Sequence, residues 1–438
     1  MKYLYKVFRI FYIAPLFCQA VGLLTLIDSA KEHALSWKAQ DLQSRSNEMT
    51  GTVALGSLLP SISLTANQSS GVSYSGAYSY GSTTVPGGNL PYHQTSLAAQ
   101  VQIPIYTPGA LAGYYAADKK SEISTYDYKL FEESFILNLC SQYFNILKSD
   151  KALALSREEL EMKAKFYSDV SEQYDVGLVA MTDLKEAEAA LDLARANEIQ
   201  AVFQLNSAKE QLVNLIQLTP EYLQDLPSSI DAALLPVTSD RGTHPSLLKA
   251  RATVDLSQYL VNQAYSGFSP QLVGVTNYSL SPVNQNISHS VSSISAGLSL
   301  SWSPPYGATS IAHVQQQNYA LQAAQAQLIQ THHDHETQLK IGHAKYDSML
   351  RQIEAQKVAI RAATIYLDAV EASYEAGQRT ASDVLAAQSS LTQQRQQLFN
   401  LTYDSLTLYL QLGMLHCCPI DDLLRSLDEI LTESWNWN

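Results

Sequence analysis

Two stretches of the chain alternate between apolar and polar or small residues. Leu97, Ala99, Val101, Ile103 and Ile105 are interleaved with Ala98, Gln100 and Gln102. Ile294, Ala296, Leu298, Leu300 and Trp302 are interleaved with Ser295, Gly297, Ser299 and Ser301. A period of two sends the two sets to opposite faces of a strand. Each stretch sits in a long window free of Asp, Glu, Lys and Arg, one between Met49 and Ala117 and one from Leu256 to His333. Apolar residues on one face and small polar ones on the other are the pattern of a transmembrane β-barrel, whose strands need about 9–11 residues to cross. Weaker partner strands are expected at Ser57–Thr65 and Gln271–Leu280, with polar connections at Gln68–Gln94 and Pro282–Ser288. A soluble hairpin packed on helices is the alternative, and it leaves the absence of charge without a cause. Four strands cannot close a barrel, since the smallest natural ones have about eight. Open edges in lipid would leave backbone groups unpaired, so the chain must assemble. Three copies would supply twelve strands.

Between the windows the pattern is helical. From Ala110 to Glu172 there is no Pro, and Gly113 is the only Gly. A helix of about 60 residues spans roughly 90 Å, a length that implies a coiled coil or related bundle. Tyr167, Val170 and Tyr174 form one apolar stripe, matched by Leu367, Val370 and Tyr374. Gly177 and Gly377 fall where two long helices meet, and glycine tolerates the left-handed conformation that ends a helix. Thr182 and Ser382 are then expected to cap the returning helices, with Asp183 and Asp383 favoured by the helix dipole.

These matches belong to an internal repeat. Tyr174-Asp-Val-Gly177 with Asp183 recurs as Tyr374-Glu-Ala-Gly377 with Asp383, and Pro104, Tyr106 and Gln211-Leu212 return as Pro304, Tyr306 and Gln411-Leu412. A repeat of this length is a whole structural half used twice, far longer than the units of a solenoid. The chain therefore divides into a segment 1–20, a first repeat 21–218, a linker 219–245, a second repeat 246–415 and a tail 416–438. The strands fall at about 57–106 and 271–303, and the hairpin tips near 177 and 377. Four prolines between Thr219 and Pro245 mark the linker as lying outside the long bundle, and the tail carries one helix, Ile420 to Thr432. The fold class is α+β, mainly helical.

Charge and terminus narrow the function. The formal charge of −13, with no basic stripe, argues against nucleic acid. Lys2, Lys6 and Arg9 precede an apolar run from Ile10 to Phe17 and small residues near Ala20, the order of a secretory signal. An uncleaved anchor running on to Ile27 is the alternative; Pro15 and Gln19 interrupt it. Phe17 also stands where a lipoprotein signal wants a small residue before Cys18. Cys140 reads as a small core residue, while the role of the adjacent Cys417 and Cys418 is open. No metal spacing or disulfide framework is visible. His332, His333 and His335 with Asp334 are the one cluster that invites a metal, and at that spacing they fan around a helix. No Gly-x-Ser-x-Gly, phosphate-cradling loop or His-Glu-x-x-His motif appears, so no enzyme, catalytic residue or cofactor is expected.

Strand pair, long helix, glycine tip and returning helix, all used twice, resemble the TolC-like outer-membrane factor family. Tyr174-Asp-Val-Gly-Leu-Val-Ala-Met-Thr-Asp183 is similar to that family's first periplasmic tip, and Tyr374-Glu-Ala-Gly-Gln-Arg-Thr-Ala-Ser-Asp-Val-Leu385 to its second. Leu58-Leu59-Pro60 and Ser269-Pro270 resemble its strand entries, so the similarity spans nearly all of the chain after the leader. The resemblance implies a homotrimer with a 12-stranded β-barrel in the outer membrane, continuous with a periplasmic α-barrel that tapers to a closed entrance. It implies an entrance latch made by Thr182, Asp183, Tyr374 and Arg379. The chemistry suits that role: Arg379 offers a fork of donors and Asp183 accepts from guanidinium and phenol. Asp383 matches an aspartate ring at the pore constriction. Ala386 stands where a second ring would be, so the cation-selective field is expected to be weaker. Val176, Gly177, Leu178, Ala376 and Gly377 match the contact with a periplasmic adaptor.

The expected function is the outer-membrane exit duct of a tripartite efflux pump or type I secretion system. Its partners would be its own copies, outer-membrane lipid, an adaptor and an inner-membrane transporter of RND, ABC or MFS type. The alternative is a trimeric coiled-coil stalk, structural or adhesive, with a short membrane anchor. Duplicated tips and four strands per copy favour the duct.

Overall fold

The computed structural model describes residues 23–85, 87–220, 222–225, 242–284, 288–302, 308–431 and 433–436. The leader, most of the linker, and Pro304 and Tyr306 lie outside them. In chain order the elements are α1 (Leu23–His33), α2 (Leu35–Leu55), β1 (Ser61–Ser75), β2 (Tyr78–Tyr80), β3 (Thr83–Val85), β4 (Gly88–Tyr106), α3 (Pro108–Asp175) and α4 (Met181–Ile216). There follow β5 (Tyr222–Asp225), α5 (Pro245–Ser266), β6 (Gln271–Asn284), β7 (Ser288–Ser301), α6 (Ala308–Glu375), α7 (Ala381–Leu415), α8 (Ile420–Asp428) and β8 (Glu433–Asn436). α3 and α6 are each 68 residues long, as their scarcity of breakers requires. No described helix is long and apolar enough to cross a membrane.

The chain forms two compact units, and each takes corresponding parts of both repeats. One holds Leu42–Lys129 and Pro245–His333; the other holds the segments before Asp41, from Leu130 to His244 and from Asp334 onward. The first carries a four-stranded antiparallel sheet in the order β1-β4-β6-β7. Its register sorts the alternating residues into faces. Ile62, Leu64 and Ala66 stand opposite Val101, Ala99 and Leu97, which in turn stand opposite Thr276, Tyr278 and Leu280. Tyr278 pairs with Ile294, and Leu272 with Leu300. One face is thus largely apolar across all four strands, and Ile62, Leu64, Leu97, Tyr278, Ile294 and Leu300 on it lie exposed. Gln100, Asn277 and Ser295 line the other face, where the Ser279 and Ser293 hydroxyls hydrogen-bond at 2.8 Å. β1 and β7 leave an open edge at either side of the sheet.

The strands run further than hydropathy alone indicates. β1 starts at Ser61, after a 3₁₀ turn at Gly56–Leu58, and continues through Gln68 to Ser75. β4 begins at Gly88, and β6 extends through Pro282 to Asn284. The expected polar connections are therefore largely strand. Ladder bonds are made by backbone, so a hairpin persists beyond its apolar zone until a turn ends it. Here a small β2–β3 hairpin does so, with Gly81 at a φ of 62°.

The second unit is helical. Leu23, Leu26, Ile27 and Ala30 of α1 are buried, as are Leu423, Leu424 and Leu427 of α8, and the two helices pack together. The tail helix stops at Asp428, short of Thr432. Linker and tail are also tied together, because β5 pairs antiparallel with β8. The expectation that the linker lies outside the bundle is corrected by Asp225, which is only 3% exposed. Its carboxylate accepts from the Tyr403 hydroxyl at 2.6 Å and pairs with Lys151 at 2.7 Å. The Tyr143 hydroxyl donates to the Gln224 carbonyl and accepts from the Gln224 amide. Buried polar groups that satisfy one another in this way hold the strand against α3 and α7.

Cys140 is fully buried, and burial pushes its thiol up to about 12. Cys417 takes a φ of 57° just past α7, with its amide bonded to Met414 and that of Cys418 to Gly413. It thus ends the helix as a glycine would, and Cys418 is buried beside it. Among the described residues no three His, Cys, Asp or Glu side chains are grouped to hold a metal.

Candidate functional site at the hairpin tips

Both hairpin tips belong to the helical unit, and their backbones are copies. The Gly177 amide bonds to Tyr174 O at 2.9 Å and Leu178 N to Gln173 O at 2.8 Å. In the second tip Gly377 bonds to Tyr374 O at 2.9 Å and Gln378 to Ser373 O at 2.9 Å. This double closure of a helix end needs a left-handed residue at its centre, and the two glycines supply φ of 77° and 69°. The returning helices start at Met181 and Ala381, so the caps are Ala180 and Thr380. The expected caps Thr182 and Ser382 stand two residues too late, already inside the first turn.

The second tip is closed by a full capping box. Asp383 N donates to Thr380 Oγ1 at 3.3 Å, while Asp383 Oδ2 accepts from Thr380 N and Oγ1 at 3.0 Å each. Those bonds hold the Asp383 carboxyl below the usual carboxylate range, and the Arg379 charge adds to them. The Arg379 guanidinium lies 3.8 Å from Asp383 Oδ1. Among the described residues no ion pair joins Arg379 to Asp183. Asp383 is the acceptor within reach on Arg379's own hairpin, so that is where the cation rests.

Tyr374 makes the crossing between hairpins. Its hydroxyl donates to Gln173 Oε1 at 3.3 Å, and its ring packs on Phe166 of α3 with centroids 5.5 Å apart. Burial raises the phenol's pKa, and the charges of Asp183 and Asp169 raise it further. Asp183 is thus near enough to act on Tyr374 by its field, while Thr182 is exposed at the start of α4. Gln173 was not anticipated; only its place next to Tyr174 could have marked it. Beneath these groups lies an apolar core of Phe166, Val170, Leu367, Val370, Val384 and Leu391. A groove of about 780 Å³ runs between α3 and the second hairpin, lined by Asp169, Glu172, Gln173, Glu371 and Tyr374 among others.

The remaining site residues lie on the surface. Val176 and Leu178 are 71% and 76% exposed, and Gly177, Ala376 and Gly377 are also open. Ala386 is exposed on α7.

Comparison with known proteins fits this arrangement. The family model described as outer membrane efflux protein matches residues 26–216 and 240–415, a segment for each repeat. The chain belongs to that family. It is 28% identical over 353 residues to outer membrane protein TolC of Escherichia coli K12, covering 75% of this chain and 70% of that one. It is 22% identical over 425 residues to the proteases secretion protein PrtF of Dickeya chrysanthemi, covering 90% and 87%. In fold it resembles the Campylobacter jejuni CmeC outer membrane channel, with a TM-score of 0.74, 16% identity and coverage of 94% and 90%. This outer membrane efflux protein is therefore an exit duct of the outer membrane, serving efflux or secretion, with its helical part mostly in the periplasm. Membership sets the stalk reading aside, since the family is one of channels.

Proposed function

We propose that three copies of this chain form a duct that rests closed at its periplasmic tips and opens when the two hairpins of each copy part. The crossing of Tyr374 from α6 to Gln173 on α3 carries this reading, because one phenol bridges the two hairpins at their tips, beyond the apolar core they share. Arg379, Asp183, Thr182 and Tyr374 make up the latch region, with Gln173 as the phenol's partner. Arg379 held on Asp383 leaves one cation per copy available to exchange toward Asp183 or a neighbouring copy. A single exposed pair contributes at most about 1 kcal/mol, so the reversible strength comes from three symmetric sets.

The open edges of the β1-β4-β6-β7 sheet support the trimer. Lipid cannot satisfy an unpaired strand edge, and joining three sheets edge to edge removes all of them. Three Asp383 carboxylates would ring the narrow end, with a modest field because Ala386 adds no second ring. Exposed Val176, Leu178 and the small residues of both tips suit a periplasmic adaptor, which links the duct to an inner-membrane transporter of RND, ABC or MFS type. PrtF carries protease secretion in its name and the family description says efflux; an exit duct is what the two have in common.

Cross-linking and mass measurement of the purified protein in detergent test the assembly. A trimer that gives small, steady conductance in a planar bilayer supports the proposal. A monomer, or a trimer with a fully open conductance at rest, contradicts it.

A further inference from the structure

One charged side chain in the tip bundle is buried where the pattern demands an apolar one. Lys163 lies three and seven residues before Phe166 and Val170, on the same face of α3, and is 3% exposed. Its ammonium donates to the Leu385 carbonyl of α7 at 3.0 Å and to Ser389 Oγ at 3.2 Å. Both acceptors are neutral. Among the described residues no carboxylate stands within ion-pair distance, and Glu159, on the preceding turn of α3, acts only through its field. Burial moves the Lys163 pKa downward, in the direction expected for a dehydrated cation.

A buried charge held only by neutral partners costs more to dehydrate than its hydrogen bonds return. It nevertheless sits in the contact between α3 and α7, the surface that must part if the hairpins separate. Parting would return the ammonium to water and recover its hydration. From this placement we infer that Lys163 is a release element, a buried cation that weakens the closed packing of the two hairpins so that breaking the tip latch suffices to open the entrance. The inference rests on the gated-entrance reading above and adds a residue that opposes the latch.

The test compares wild type with Lys163→Met and Lys163→Gln in the full-length protein. Met keeps the length and packing without charge; Gln keeps a donor toward Leu385 O. Hydrogen exchange by mass spectrometry is read on peptides covering residues 160–175 and 381–395. Exchange several-fold slower in both variants is the expected result. Equal or faster exchange in both overturns the inference, making Lys163 a clasp or a bystander. If only Gln folds to an intact assembly, the Gln result decides alone. The second readout adds Lys163→Met to a latch-broken channel carrying Tyr374→Phe and Arg379→Ser. A reduced opening there supports the release role, and an unchanged opening despite slower exchange overturns it. Failure of the latch-broken channel itself to open would defeat the latch reading, while the exchange measurement would still decide Lys163.

Discussion

The two hairpin tips share one backbone, a tyrosine and an aspartate, and differ in the side chains between them. The first is apolar and uncapped: Val176, Leu178 and Met181 are exposed, and Ala180 makes no side-chain cap bond. The second is polar and tied down, by the Thr380–Asp383 capping box and by Arg379 beside it. Tyr174 is 37% exposed, whereas its repeat partner Tyr374 packs on Phe166 and reaches Gln173. Duplication preserved what the backbone needs, two left-handed glycines and their double closure. The side chains were free to diverge, giving the first tip exposed apolar residues and the second a polar, capped turn.

The largest expected effect follows from the apolar face of the first tip. Leu178→Glu places a charge in the surface proposed to meet the adaptor. Pull-down with the adaptor should fall at least about tenfold, equivalent to roughly 1.4 kcal/mol, with resting conductance unchanged. The matching change in the second tip, Gln378→Glu, should do much less. Equal losses would erase the division of labour between tips.

Next come the shared glycines. Gly177→Val and Gly377→Val each force a branched side chain into left-handed backbone, at a cost of about 1–2 kcal/mol or more. Neither glycine has atoms within 4 Å of an added Cβ, so the cost at that atom is conformational strain. Hydrogen exchange at each tip should speed up to a similar degree. A response at one tip alone would break the backbone equivalence.

A smaller effect distinguishes the caps. Thr380→Ala should loosen the second tip by about 1 kcal/mol, and Ala180→Thr should tighten the first by a similar or lesser amount. Local exchange at the first turns of α7 and α4 reads both. The smallest effect is that of acid. Because the Asp383 pKa is lowered in the fold, its contribution is present above the unfolded value of about 3.9 and is lost as pH falls through the folded value. Protection factors at the second tip, corrected for the intrinsic pH dependence of exchange, should fall at low pH, and Asp383→Asn should remove that fall.

Much of this was legible in the chain. Period-two alternation without charge identifies β4 and β7, and scarce breakers identify α3 and α6. Glycines two hundred residues apart locate both tips. The strand ends were not legible, because Ser- and Gly-rich continuations of β1 and β4 carry no hydropathy signal while their backbones still pair. Nor was the β5–β8 pairing, between short segments some two hundred residues apart in sequence, which depends on Asp225 finding Tyr403 and Lys151 in the folded unit. The two tips lie where the glycines put them, but the partners of the tip side chains were not legible. Arg379 rests on Asp383 and Tyr374 on Gln173, and those choices depend on where the helices cross. Lys163 escaped notice because a lysine beside an apolar stripe ordinarily reaches water.

The central claim is that contacts at the second tip hold the entrance shut. Single-channel conductance in a planar bilayer, wild type beside the Tyr374→Phe and Arg379→Ser double mutant, tests it most directly. The account predicts a small wild-type conductance that rises several-fold in the mutant, with the trimer equally stable. Equal conductances from intact trimers would contradict it.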